Sequence, residues 1–278
     1  MGNKRVVVAI QGIKESFHAI AAYSLFSEDI ELNECHSFHD VFSAVKDGAS
    51  DFGVVAIENS LYGSINDTYD LLVKNDLHIC GEAYEQIGLY LVGAPDSKLG
   101  DITNVYSHPA ALGESSDYLD LNLPSASRHE YSDTALAAKF VSESNDNSKA
   151  AIAGELAANT YTVNVLAKNI ESHKHNYTRF ILISKQQAEL SSKNAKSTIV
   201  FQTGNKPGSL HAALGVFAKY NIGLTKLESR PIVGKAWRYM YYADIESAFN
   251  DELQKELSKV ASNVRLLGTY QAGSIKGV

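Results

Sequence analysis

Up to residue 185, short apolar runs alternate with segments whose apolar positions recur every three to four residues. The runs predict strands over 5–10, 52–57, 87–92, 105–107, 150–153 and 180–184. The helical period predicts helices over 16–26, 40–46, 65–74, 110–119, 133–144 and 155–161. Phe17, Ile20 and Ala21 share one face of the first helix. Leu136, Phe140 and Val141 form the apolar stripe of the fifth, and Asp133 is its natural N-cap. Pro109 suits the first turn of the helix that follows it. Strands alternating with helices argue for an α/β region with a largely parallel sheet.

The texture changes over 185–196, KQQAELSSKNAK, which is polar throughout and has no aromatic residue. That is a linker signal. Beyond it the pattern predicts a strand over 197–203, a helix over 208–220, strands over 224–230 and 237–245, a helix over 249–261 and a strand over 264–271. Leu210, Leu214 and Phe217 have the spacing of a buried helical stripe. The order β-α-β-β-α-β is the ferredoxin-like split motif. The expected organisation is a domain over 1–185, a linker over 186–196 and a second domain over 197–278.

Composition agrees with two folded domains. The chain has 278 residues, 45% hydrophobic and 21% charged, close to the globular average and far from disorder. A formal charge of −7 makes a nucleic-acid partner a poor fit. No run approaches the ~20 apolar residues of a membrane helix. The first residues lack the apolar region of a signal peptide, and Val6 stands where a myristoylation signal needs Ser or Thr. Cys35 and Cys80 are too few for a disulfide framework and read as reduced thiols of a cytoplasmic protein. His173 and His175 stand two residues apart on what reads as a loop, and no His-x3-His, Cys-x2-Cys or His-Glu-x2-His spacing is present. No glycine-rich phosphate loop appears either. The sequence therefore implies neither metal nor cofactor.

Four clusters carry candidate chemistry, each at a strand-to-helix junction or a strand entry. They are Glu58-Asn59-Ser60-Leu61-Tyr62-Gly63-Ser64, Ser107-His108-Pro109, Asp133-Thr134-Ala135, and Asn176-Tyr177-Thr178-Arg179-Phe180. Turns, caps and a structural ion pair would account for each singly. Together they offer hydroxyls, amides, helix N-termini and one Arg, with no nucleophile–base pair. That set suits holding a small anion and stabilising charge.

At these residues the chain resembles the prephenate dehydratases. Ala56-Ile57-Glu58-Asn59-Ser60 with Gly63-Ser64 looks like the family signature. Thr178-Arg179-Phe180 resembles its TRF motif, which holds the threonine essential to activity. The segment 154–171 and the elements Gly12, Ser16-Phe17 and Ala21-Ala22 are similar as well. Gly208-Ser209-Leu210 and Glu228-Ser229-Arg230-Pro231 resemble the two phenylalanine-binding motifs of the family's regulatory ACT domain. The pattern is loosened in places. Ala56 replaces a usual proline, 11–15 departs from an N-terminal Gly-Pro-x-Gly-Thr, and Glu114 and Ser115 stand for a usual Gln and Cys.

The resemblance implies conversion of prephenate to phenylpyruvate with loss of water and carbon dioxide. It implies a two-lobed, periplasmic-binding-protein-like catalytic domain able to open and close, followed by a ferredoxin-like ACT domain. Thr178 would donate a hydrogen bond to the departing hydroxyl and Arg179 would orient a carboxylate. Asn59, Ser60, Gly63, Ser64, Ser107, Thr134 and Phe180 would hold the rest of the substrate. Glu58 is an acid with a raised pKa or, as we favour, a structural acceptor. L-Phenylalanine would bind at Asn205, Pro207, Gly208, Ser209, Leu210, Glu228, Ser229 and Arg230, in a homodimer or homotetramer. The chain begins directly with the dehydratase strand, so a monofunctional enzyme is expected. Arogenate dehydratase and a non-catalytic amino-acid sensor are the competing readings.

Overall fold

The structure is a computed structural model and describes residues 5–26, 29–188 and 194–275. The first part of the chain runs β1 (Val6–Gln11), α1 (Phe17–Leu25), β2 (Ile30–Cys35), α2 (Phe38–Asp47), β3 (Phe52–Asn59), β4 (Gly63–Ser64), α3 (Asn66–Lys74) and β5 (His78–Gln86). It continues with β6 (Tyr90–Gly93), β7 (Asn104–Ser107), α4 (Pro109–Glu114), α5 (Ser116–Asn122), β8 (Ser127–Glu130), α6 (Thr134–Ser144), β9 (Lys149–Ala153), α7 (Glu155–Thr160), β10 (Asn164–Ala167) and β11 (Tyr177–Ser184). The remainder is β12 (Ala195–Gln202), α8 (Ser209–Lys219), β13 (Leu224–Pro231), β14 (Tyr239–Ile245), α9 (Asp251–Leu257) and β15 (Ser262–Gln271).

Two compact units divide the chain. One takes the residues up to Leu71, Ala83–Phe180 and Ile275, and the other takes Leu72–Glu82 and Ile181–Ser274. The division differs from the one expected at the polar run. α3, β5 and β11 each run from one unit into the other. Residues 189–193 of the expected linker lie outside the described residues. β12 already starts at Ala195, and Lys196, expected to be solvated, is buried.

The first unit is built around two mixed sheets. One has the order β2-β1-β3-β11-β5, with β4 on β3, and the other has the order β10-β6-β9-β7-β8. β1 pairs in parallel with β2 and β3, and β7 pairs in parallel with β8 and β9. β4, β6 and β10 pair antiparallel with their neighbours, so the largely parallel sheet expected from the pattern is corrected to a mixed one. The predicted strand over 87–92 is displaced: β5 ends before it and β6 begins at Tyr90. The helix predicted over 110–119 breaks at Ser115, whose φ of −104° and ψ of 10° leave the helical region. Caps fall where the sequence placed them. Asp133 Oδ1 accepts from Ala135 N at 2.8 Å and Leu136 N at 3.0 Å.

The second unit contains a fully antiparallel sheet of order β13-β14-β12-β15, the split βαββαβ arrangement. Phe217 is fully buried in its core, with Leu210 and Leu214 packed against it. Gly268 on β15 lies so close to β5 that a Cβ there would overlap the Ile79 carbonyl. Among the described residues, no helix is long and apolar enough to cross a membrane.

Candidate active site

Side chains in a strand alternate between faces. In the stretch entering β11, Asn176, Thr178 and Phe180 therefore share one side, and Tyr177 and Arg179 share the other. Thr178 and Phe180 line a cavity of about 480 Å³ in the first unit. Gln11 and Asn59 bring it the carboxyl ends of β1 and β3, and His108 follows β7. These are the positions where open α/β sheets bind ligands. Gly63, Ser64 and Thr134 join them. Phe17, Phe38, Ile65, Ile87, Leu89 and Phe180 make one wall apolar, as a carbocyclic ligand requires. No lysine or arginine is among the described residues that line the cavity.

Asn59 fixes the polar centre. Its Oδ1 accepts from the backbone N–H groups of Leu61 at 2.8 Å and Tyr62 at 2.9 Å. That sets the orientation of the amide, so both Nδ2 hydrogens point away. One goes to Asn176 Oδ1 at 2.7 Å and the other to Thr178 Oγ1 at 3.1 Å. Two consequences follow from the donor inventory. Thr178 accepts from Asn59, which leaves its own hydroxyl proton for a ligand in the cavity. Asn176, accepting through Oδ1, must present Nδ2 on its other side, where Glu114 sits. Asn176 is fully buried and Thr178 nearly so.

Burial dominates the titrating groups. The imidazole of His18 is lowered to about 3, by burial first and by His108 second. It is therefore neutral, and its Nε2 accepts from Ala56 N at 3.3 Å. Proline at position 56 would have no such N–H, so His18 satisfies the donor that this departure from the family pattern creates. The His18 ring also stands edge-on to Phe180, with centroids 5.0 Å apart. Burial lifts the carboxyl of Glu114 to about 7; Asn176 opposes the shift and Glu171 adds to it. Asp133 is raised by burial against its two cap hydrogen bonds, and His108 is lowered by burial.

Four expected site residues do not line this cavity. Arg179 is turned away by the strand alternation. Its guanidinium lies 3.9 Å from the Glu58 carboxylate, so these two form an ion pair with each other. Ser60 ties the end of β3 to the entry of β11, its Oγ accepting from Tyr177 N at 2.9 Å and donating to His175 O at 3.2 Å. Ser107 is fully buried and donates to Ile152 O at 2.6 Å, within the second sheet. Conversely, Glu114, Asp133, His18 and His108 line the cavity without having been chosen as site residues. The period-2 rule, applied from Thr178, would have discarded Arg179 and selected Asn176.

The second unit has its own cavity of about 490 Å³, lined by Asn205, Gly208, Ser209, Leu210, His211 and Trp237 among others. It opens at the start of α8, where Gly208 takes φ +83°, a conformation that suits glycine. Pro207, Glu228, Ser229 and Arg230 are not among its lining residues. The last three lie on β13, the edge strand of the sheet.

A family profile described as prephenate dehydratase matches residues 8–188. The bifunctional chorismate mutase/prephenate dehydratase of Aquifex aeolicus is 37% identical over 271 residues, spanning 96% of this chain and 74% of that protein. Arogenate dehydratase/prephenate dehydratase 2 of Arabidopsis thaliana is 36% identical over 281 residues, spanning 96% and 73%. The crystal structure of a prephenate dehydratase from Arthrobacter aurescens in complex with L-Phe aligns with a TM-score of 0.86 at 28% identity, covering 96% of this chain and 90% of that one.

Proposed function

This chain belongs to the prephenate dehydratase family, and from that premise we propose how its cavity performs the reaction. The enzyme converts prephenate to phenylpyruvate in phenylalanine biosynthesis. The single observation that carries the proposal is the Asn59 amide, which leaves the Thr178 proton directed to a ligand. Loss of carbon dioxide sends an electron pair into the ring, and the ring hydroxyl departs on the other side. Thr178 donates a hydrogen bond to that oxygen as its negative charge develops. Pre-aimed donors of this kind are worth about 3–4 kcal/mol when one is removed. The apolar wall accepts the ring as it becomes aromatic.

The two substrate carboxylates meet neutral donors rather than a cation. Ser64, Thr134 and the Gly63 turn supply them, at the positions where the sequence places anion contacts. Arg179 acts at one remove: paired with Glu58, it holds the ends of β3 and β11 that carry Asn59 and Thr178.

The βαββαβ unit reads as an ACT domain that binds L-phenylalanine in its own cavity. The start of α8 faces the amino acid carboxylate with backbone N–H groups, and Asn205, Ser209 and Leu210 line the same space. The relative crystallised with L-Phe supports this reading. The exposed side chain of Leu227 on edge strand β13 suits pairing with a second copy of the chain.

The test is product formation by the purified chain, with prephenate and arogenate assayed side by side and L-phenylalanine titrated in. Phenylpyruvate should appear from prephenate, and added phenylalanine should lower the rate with a sigmoidal dose response. A higher kcat/KM on arogenate would reassign the preferred substrate. A rate indifferent to millimolar phenylalanine would remove the regulatory role.

A further inference from the structure

Thr178 can hold the leaving oxygen but cannot supply the proton the reaction consumes. In the overall step one C–O bond and one C–C bond break, carbon dioxide leaves, and hydroxide takes up a proton to become water. The prephenate dianion thus gives the phenylpyruvate monoanion, carbon dioxide and water, at the expense of one proton. A threonine hydroxyl is too weak an acid to give up that proton and take it back from solvent.

The structure assigns this proton to Glu114: we propose that its carboxylic acid, facing the cavity at the end of α4, protonates the departing hydroxyl that Thr178 holds. This rests on the dehydratase reading of the cavity and goes beyond it. The geometry fixes Glu114 from two sides. Its carboxyl lines the cavity and is almost fully buried. The Asn59–Asn176 chain turns the Asn176 Nδ2 toward it, and that amide nitrogen is buried without a hydrogen-bond partner among the described residues. Glu114 is further held by its own backbone, its carbonyl accepting from Ser172 N at 2.8 Å. The oxygen facing Asn176 is an acceptor, so a proton on the carboxyl belongs on the oxygen toward the ligand.

The surroundings keep that proton in place. Among the described residues, Glu171 and the Tyr62 phenol of the turn after β3 are the titratable groups that interact with it. His108, His18, Asp133 and Asp67 share the cavity. Among the described residues no lysine or arginine lines the cavity to drive ionisation, and a dianionic substrate opposes it further. Where the family pattern has Gln, the amide can hold an oxygen but has no proton to release. The acid in this chain does both.

The deciding experiment is the pH profile of kcat on prephenate, from about pH 6 to 9, for the full chain and for Glu114→Gln and Glu114→Asp. The native enzyme should lose activity on the alkaline side as Glu114 ionises. Glu114→Gln, nearly isosteric and still able to accept from Asn176, should lose that limb and run flat, about a hundredfold slower at the acid end. Glu114→Asp should keep a limb. A limb that persists in Glu114→Gln assigns it to another group and overturns the proposal. So does a variant that loses arogenate turnover alone, since Glu114 would then be binding a substrate ammonium as a carboxylate. A native chain inert on both substrates would instead sink the dehydratase reading itself.

Discussion

Replacing Thr178 with Ala or Val should lower kcat on prephenate by about a hundredfold or more, with the protein still folded. The expectation comes from the hydrogen-bond order around Asn59. Because the Asn59 carbonyl is taken by two backbone N–H groups, Asn59 can only donate to Thr178, and only the hydroxyl proton of Thr178 is left for a ligand. Val keeps the branched shape that a strand prefers and removes that proton alone. Asn59 keeps its bond to Asn176, so the stability lost should be about 1 kcal/mol. Ser restores the hydroxyl and should recover most of the rate. Steady-state kinetics with a thermal melt reads both quantities. Near-native turnover by the Val variant would show that this hydroxyl is not in the reaction.

The sequence made one end of the site readable and hid the other, for physical reasons. Thr178, Asn59 and the Gly63-Ser64 turn sit in contiguous motifs at strand ends, where local order in the chain is also local order in space. Arg179 reads as a carboxylate ligand from its guanidinium and its place in the motif beside Thr178. In an extended strand, adjacency means opposite faces, and Arg179 meets Glu58 instead of the cavity. Glu114 gave the reverse error. The sequence marks it only as standing where the family pattern has Gln, and only the fold brings Asn176 and Glu171 to it. Ser107 had the sequence context of an anion-binding hydroxyl, yet a carbonyl of the neighbouring strand takes its proton.

The elements followed the same logic. Strands buried on both faces, such as β3 and β9, announce themselves as apolar runs. β2, β8 and β10 lie at sheet edges and carry Glu, Asn, Arg or His. Half of such a strand faces water, and over four to six residues its alternation does not stand out from a loop.

The polar run held the largest misreading, and it carries the second large effect. Lys196→Met should destabilise the second unit by about 3–5 kcal/mol. The Lys196 ammonium donates to both oxygens of Glu82, at 3.1 and 3.0 Å, and lies 3.9 Å from Asp244. All three side chains are buried. Glu82 also accepts from Gly273 N at 3.0 Å, and Asp244 from the Thr198 hydroxyl at 2.6 Å. A methionine fills the same volume but strands the two carboxylates without the cation they share. The penalty is therefore that of uncompensated buried charge, which exceeds the net worth of the pair itself. Removing Glu82 as well, in Glu82→Leu with Lys196→Met, should recover part of the loss. A double-mutant cycle in denaturant reads that coupling. If Lys196→Met unfolds at the native midpoint, the pair is solvated and the linker reading of residue 196 is restored. If the double variant is as unstable as the single one, the damage lies in packing rather than charge. Glu82 is the last residue of β5 in this unit, and the next, Ala83, belongs to the unit with the cavity. The ion pair thus ties β12 and β14 to β5 within this unit.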